Sequence, residues 1–141
     1  MITETLVCMA LNIYHEARSE SRIAQLAVAQ VVMNRVYSNK YPNDVCDVIY
    51  QAQLDTRGNP RKYSCAFSWY CDYKSDTPRD LKAYEEAMNN ATIVMNGWTG
   101  SYLEGATHYH ATYVLPRWAE HMTKVTQIDE HIFYRDDSHV K

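Results

Sequence analysis

No stretch of the sequence approaches the roughly 18 consecutive apolar residues that a membrane-spanning helix requires, so insertion into a bilayer is not expected. Polybasic arms and acidic tails are missing as well. With a formal net charge of −3 and 22% charged residues, the chain offers no field for nucleic acid or an anionic membrane. The opening Met1-Ile2-Thr3-Glu4-Thr5 lacks the basic region and apolar stretch of a secretory leader, so it carries no such export address. There is no Cys-x-x-Cys or His-x-x-x-His spacing, which leaves a zinc site without its usual signature. Internal repeats, low-complexity tracts and interdomain linkers are absent too. The 141 residues suffice for one domain with a real core and are few for two, so a single domain over 1–141, acting as a monomer, is expected.

What is present is aromatic and unevenly so: 12 Tyr and 3 Trp against 2 Phe. Tyrosine and tryptophan join a flat apolar face to a polar handle, which suits half-wet grooves, including those that hold sugar rings. Most of the tyrosines are equally well explained as rim residues of a small core. Four cysteines allow three complete pairings, and Cys65 and Cys71, which bracket an aromatic run, are the pair to test first. Cys8, among apolar residues, reads as a free, buried small hydrophobe.

Apolar spacing predicts a first helix over 4–18 and a second over 22–37, capped by Ser21 and apolar on most sides, hence central and buried. Its Asn34 suits either holding a neighbour's backbone or lining a cleft. Residues 45–51 suit one or two helical turns and 52–64 a loop. A third helix begins at Thr77-Pro78-Arg79-Asp80, carries the stripe Leu81, Tyr84, Met88, Ala91 and Met95, and stops at Gly97. The segment 106–114 alternates like a strand, with His108 and His110 on one side, and 125–134 is extended and able to pair with it. The aromatic knot Phe67-Ser68-Trp69 either plugs the core or walls a groove.

Chemistry gathers at Ile13-Tyr14-His15-Glu16-Ala17-Arg18-Ser19-Glu20. Glu16 and Glu20 share one face if the helix runs on that far. Glu16 follows the stripe Leu6, Ala10, Ile13 and Ala17, so it leaves the helix where the core begins. A carboxyl there is partly desolvated and its pKa rises, as a general acid near neutral pH requires. The plain alternative is a pair of solvated helix-end charges. Beside an aromatic cleft, such an acid suits glycoside cleavage, with Glu20 the one carboxylate placed nearby to act as partner. Two other chemistries compete: a zinc amidase built on His108, His110 and His15 or a cysteine, and a glycan-binding module without catalysis.

The segments 10–20 and 25–36, then Tyr41-Pro42-Asn43-Asp44 through Gln51, Cys65-Ala66-Phe67-Ser68-Trp69 and Gly105-Ala106-Thr107-His108-Tyr109-His110, resemble in order the blocks of the SleB/CwlJ family of cell-wall hydrolases. The resemblance covers nearly the whole chain. It implies a mostly helical α+β, lysozyme-like domain with a small β element in its C-terminal part. It further implies lytic transglycosylase attack on the MurNAc-β-1,4-GlcNAc bond of peptidoglycan, with no cofactor or metal and no obligatory second carboxylate. Glu16 matches the family's catalytic glutamate. Phe67, Ser68, Trp69, His108, Tyr109 and His110 match positions around the cleft, and Glu20, Arg18 and Asn34 stand behind them. A muramidase using Glu16 with Glu20 or water is the nearest alternative. Two departures stand out: Ser19 where the family usually has glycine, and Ala66 where it often has glutamine. Without a leader, a wall enzyme of this size resembles a phage endolysin that accumulates in the cytoplasm and is released by a holin, or a domain excised from a longer protein.

Overall fold

The computed structural model describes residues 2–138. Four α-helices, α1 (Glu4–Ala17), α2 (Arg22–Tyr37), α3 (Val45–Ile49) and α4 (Leu81–Met95), precede three strands, β1 (Ala106–Ala111), β2 (Thr123–Ile128) and β3 (His131–Arg135). The strands form one antiparallel sheet in the order β1-β3-β2.

The helices start where side chains satisfy their first amides. Thr3 accepts from Leu6 N at α1, Ser21 from Ala24 N at α2, Asp44 from Asp47 N at α3 and Asp80 from Ala83 N at α4. The start of α4 thus lies beyond the expected Thr77-Pro78 turn. The amides of Arg79 and Asp80 donate instead to Tyr14 Oη at 3.2 and 3.1 Å, which holds both residues outside the helix. The shifted start leaves Leu81 74% exposed, and the face that buries carries Ala87, Asn90, Ala91 and Val94.

Helix α2 is apolar on most sides because two clusters of core residues meet on it. Leu26, Ala29 and Val32 pack with Met9, Ile13, Val48, Ile49 and Ala91 of the other helices. Ala27, Val28 and Val31 pack with Ala17, Leu103, Ala106 and Phe133 toward the sheet. Two of its amides reach backbone: buried Gln30 brackets Gly100, and half-buried Asn34 donates to the carbonyls of Leu103 and Ala106 at 3.3 and 2.8 Å. Asn34 therefore holds the chain entering β1.

The aromatic knot plugs the helical cluster: Phe67 and Trp69 are buried and Ser68 stays exposed. Trp69 Nε1 donates to buried Asn12 Oδ1 at 2.8 Å. Cys65–Cys71 is bridged, as its spacing suggests. Cys8 is not free, however. Helix α1 packs on α3, bringing Cys8 within 5.5 Å (Cα–Cα) of Cys46, and the two are joined by a disulfide. The extended segment at 125–134 is two strands, since Asp129, with φ +49°, turns β2 into β3.

Candidate active site

Glu16 lies in the last turn of α1, half-buried, with its carboxyl turned toward the sheet. Tyr109, midway along β1, packs against both core clusters and donates its hydroxyl to Glu16 Oε1 at 2.6 Å. Oε2 has no protein partner among the described residues and is not sealed from solvent. Burial raises the Glu16 pKa above its ordinary 4.5, opposed in turn by the Tyr109 hydrogen bond and by His131, His15 and Arg35. Burial, then the Glu16 carboxylate, holds the Tyr109 phenol well above its ordinary range, so it remains a donor.

Arg35 comes from the last turn of α2 and is 8% exposed. Its Nε donates to Thr107 O at 2.8 Å, and its guanidinium lies 5.0 Å from the Tyr41 ring centre and 5.3 Å from that of Phe67. A hollow of about 330 Å³ opens beside this cation, lined by Asn34, Tyr37, Lys40, Tyr41, Thr107 and Asp136. A second, of about 360 Å³, lies at the end of α1 and is lined by Tyr14, His15, Arg18, Asp72, Lys74 and Thr77.

The other sequence candidates divide by strand face. Tyr109 and Phe67 stand with Glu16 and Arg35, their rings 6.4 Å apart. His108 and His110 point to the opposite face, against Trp118 at 5.0 and 5.7 Å. His110 is buried there, Nε2 meeting Tyr134 Oη at 2.8 Å and Nδ1 meeting Ala111 O at 2.7 Å. Burial first and then Arg35 push the His108 pKa down to about 4, which leaves it neutral. Trp69 stacks on His15 at 4.6 Å, so it backs the site from the core.

The two glutamates do not share a face. Helix α1 ends at Ala17 and Ser19 adopts φ +74°, which turns Glu20 away into contact with His131 Nδ1 at 2.6 Å. Arg18 is also turned out and donates to Tyr14 Oη, the oxygen that receives the Arg79 and Asp80 amides. The zinc grouping is not assembled: His15 meets Asp76 O at 2.9 Å, the cysteines are bridged, and no three metal-binding side chains converge among the described residues.

Sequence reasoning passes over Arg35 and His131. Arg35 does leave a trace, as a cation in the last turn of an otherwise apolar helix. His131 leaves none, because its partners are distant in sequence.

Known proteins resemble the chain in sequence and in fold. The description "Cell Wall Hydrolase" fits residues 19–134, a stretch that begins just after Glu16. The spore cortex-lytic enzyme of Bacillus cereus is 29% identical over 127 residues, covering 89% of this chain and 42% of that protein. That of Bacillus subtilis is 26% identical over 125 residues, covering 89% and 35%. The chain thus spans about two-fifths of the length of these relatives. The catalytic domain of the germination-specific lytic transglycosylase SleB from Bacillus anthracis superposes with a TM-score of 0.70 at 28% identity, covering 95% of this chain and 97% of that one. The SleB catalytic domain of Bacillus cereus gives 0.65 at 26%, covering 96% and 93%. The mostly helical α+β architecture is therefore the lysozyme-like one of those domains, and the chain belongs to the cell wall hydrolase family.

Proposed function

We propose that the protein is a peptidoglycan lytic transglycosylase, one catalytic unit in which Glu16 is the only acid/base. The observation that carries this is a desolvated carboxyl that, among the described residues, has a single protein hydrogen bond, from Tyr109, and no second carboxylate aimed at it. Protonated Glu16 gives its proton to the glycosidic oxygen as the muramyl C1–O bond breaks, the bonding pair leaving with that oxygen. Positive charge develops at C1. The Glu16 carboxylate, steadied by Tyr109 and Arg35, then takes the proton of the muramyl C6 hydroxyl as O6 closes on C1. The product is a 1,6-anhydro sugar, and Glu16 ends protonated as it began.

Exposed Ser68 and half-buried Tyr109 would contact the glycan, with buried Phe67 and Trp69, and His108 and His110, supporting them from behind. Hydrolysis by a muramidase needs a water or a second carboxylate at C1, and Glu20 is committed to His131. Mass spectrometry of digested sacculi tests the choice: anhydro-muramyl ends are expected, and reducing muramyl ends alone would overturn the transglycosylase. Insensitivity to EDTA and the absence of freed stem peptides are expected as well. Two disulfides, which persist outside a reducing cytosol, support action at the wall. Monomeric action is part of the same proposal and is tested by sedimentation.

A further inference from the structure

The turn between α1 and α2 and the turn between β2 and β3 are stitched together by three contacts. Ser21 N donates to Asp129 Oδ2 at 2.9 Å, Glu130 N donates to Glu20 Oε1 at 3.3 Å, and Glu20 Oε2 lies 2.6 Å from His131 Nδ1. In the last contact the side chains are 15% and 10% exposed, and neither atom has another partner among the described residues. A nearly buried carboxyl–imidazole contact of this kind often adds little net stability, because desolvation offsets the attraction.

Its surroundings suggest what else it does. His131 and Phe133 lie on one face of β3, and Tyr109 stands opposite Phe133 on β1. The Tyr109 ring meets His131 edge-on at 5.2 Å and 84° and Phe133 at 5.5 Å. The ring that Glu20 holds is therefore one wall of the slot that fixes the Tyr109 phenol, whose hydroxyl is bonded to Glu16.

We propose that Glu20 and His131 are a positioning pair that sets Tyr109, and through it Glu16, for proton transfer; this rests on Glu16 being the acid. With Tyr109 held on Oε1, the transferable proton belongs on Oε2, the oxygen open to solvent. The groups that bear on the Glu16 charge are His15 from α1, Arg35 from α2, Tyr109 from β1 and His131 from β3. Those facing His131 are Glu20, Glu16, Tyr109 and, from its own turn, Asp129.

The test is the pH profile of sacculus digestion for Glu20→Gln and His131→Gln. Because Glu16 must be protonated to act, activity falls as pH rises through its pKa, and this alkaline limb reports Glu16. His131→Gln removes a group whose electrostatic influence favours ionised Glu16, so the limb moves to higher pH. Glu20→Gln frees the ring to swing away and moves the limb the same way. Each variant lowers kcat about tenfold with KM within about twofold of the parent. The double variant is no worse than either single one, since the two residues act as a unit. A purely structural pair would lower thermal stability and leave the limb in place, and that result overturns the proposal. Should His131→Gln fail to fold, Glu20→Gln carries the same test with the ring retained. Glu16→Gln is measured alongside: if it stays active, the acid itself is wrong, whereas if it is inactive while the limb is unmoved in the pair variants, only the pair is wrong.

Discussion

Tyr109 and Glu16 lie 93 residues apart in the chain and 2.6 Å apart in space, the phenol donating to one carboxylate oxygen and leaving the other without a protein partner among the described residues. Since the phenol lies between the helical cluster and the sheet cluster, its position depends on how these two bodies of core meet.

Tyr109→Phe should lower kcat by about 100-fold, the usual effect of removing one donor aimed at a group that becomes charged during the reaction. The lost hydrogen bond is also one that holds the Glu16 pKa down, so the alkaline limb of activity should move to higher pH. Sacculus turbidity followed from pH 5 to 9 reads both.

Glu16→Gln should abolish lysis and at the same time stabilise the protein at neutral pH. The folded pKa of Glu16 is raised, so folding is favoured while the carboxyl is protonated. That stability is complete below the ordinary 4.5 and is lost as pH rises through the folded value. The amide has no such loss. Calorimetry should show the variant melting a few degrees higher at pH 7, where about 1 kcal/mol corresponds to roughly 2–8 °C, and the gain should fade at pH 4.

Arg35→Lys keeps the charge and loses the planar fork. An ammonium cannot reproduce both the Nε bond to Thr107 O and the contact with the rings of Tyr41 and Phe67. Activity should fall about tenfold or more while Glu16 titrates little differently; an active variant would make Arg35 a charge alone.

Cys8→Ser should cost about 3–4 kcal/mol in urea unfolding, because the Cys8–Cys46 bridge closes a loop of 38 residues in the unfolded chain. Cys71→Ser, which opens a separation of 6, should cost less.

Ser19→Gly should raise stability by about 1 kcal/mol, since a side chain at φ +74° is strained where glycine is not. Activity should be unchanged. Lower stability would mean that the Ser19 side chain contributes more than its backbone strain costs.

Much of the fold was legible because its signals are local. The Ser21 cap, the apolar run of α2 and the alternation of β1 are each read within a few residues, and α2 proved central because two clusters need its faces. The start of α4 misled because its amides are held by Tyr14 Oη, a group 66 residues away. Cys8 misled for a related reason: buried among apolar residues it looks like a small hydrophobe, and only the packing of α1 on α3 brings Cys46 to it.

The sequence by itself determined most of the helices, the strand that bears Tyr109, and the place of Glu16: a glutamate where an apolar stripe ends is placed by helical spacing alone. Tertiary structure decided the rest. It turned Glu20 away through Ser19, sent His108 and His110 to the far face of β1, and brought Tyr109, Arg35 and His131 around Glu16. These outcomes depend on how two layers of core meet, and the energy that fixes that meeting, burial shared among residues from every helix and strand, has no local pattern.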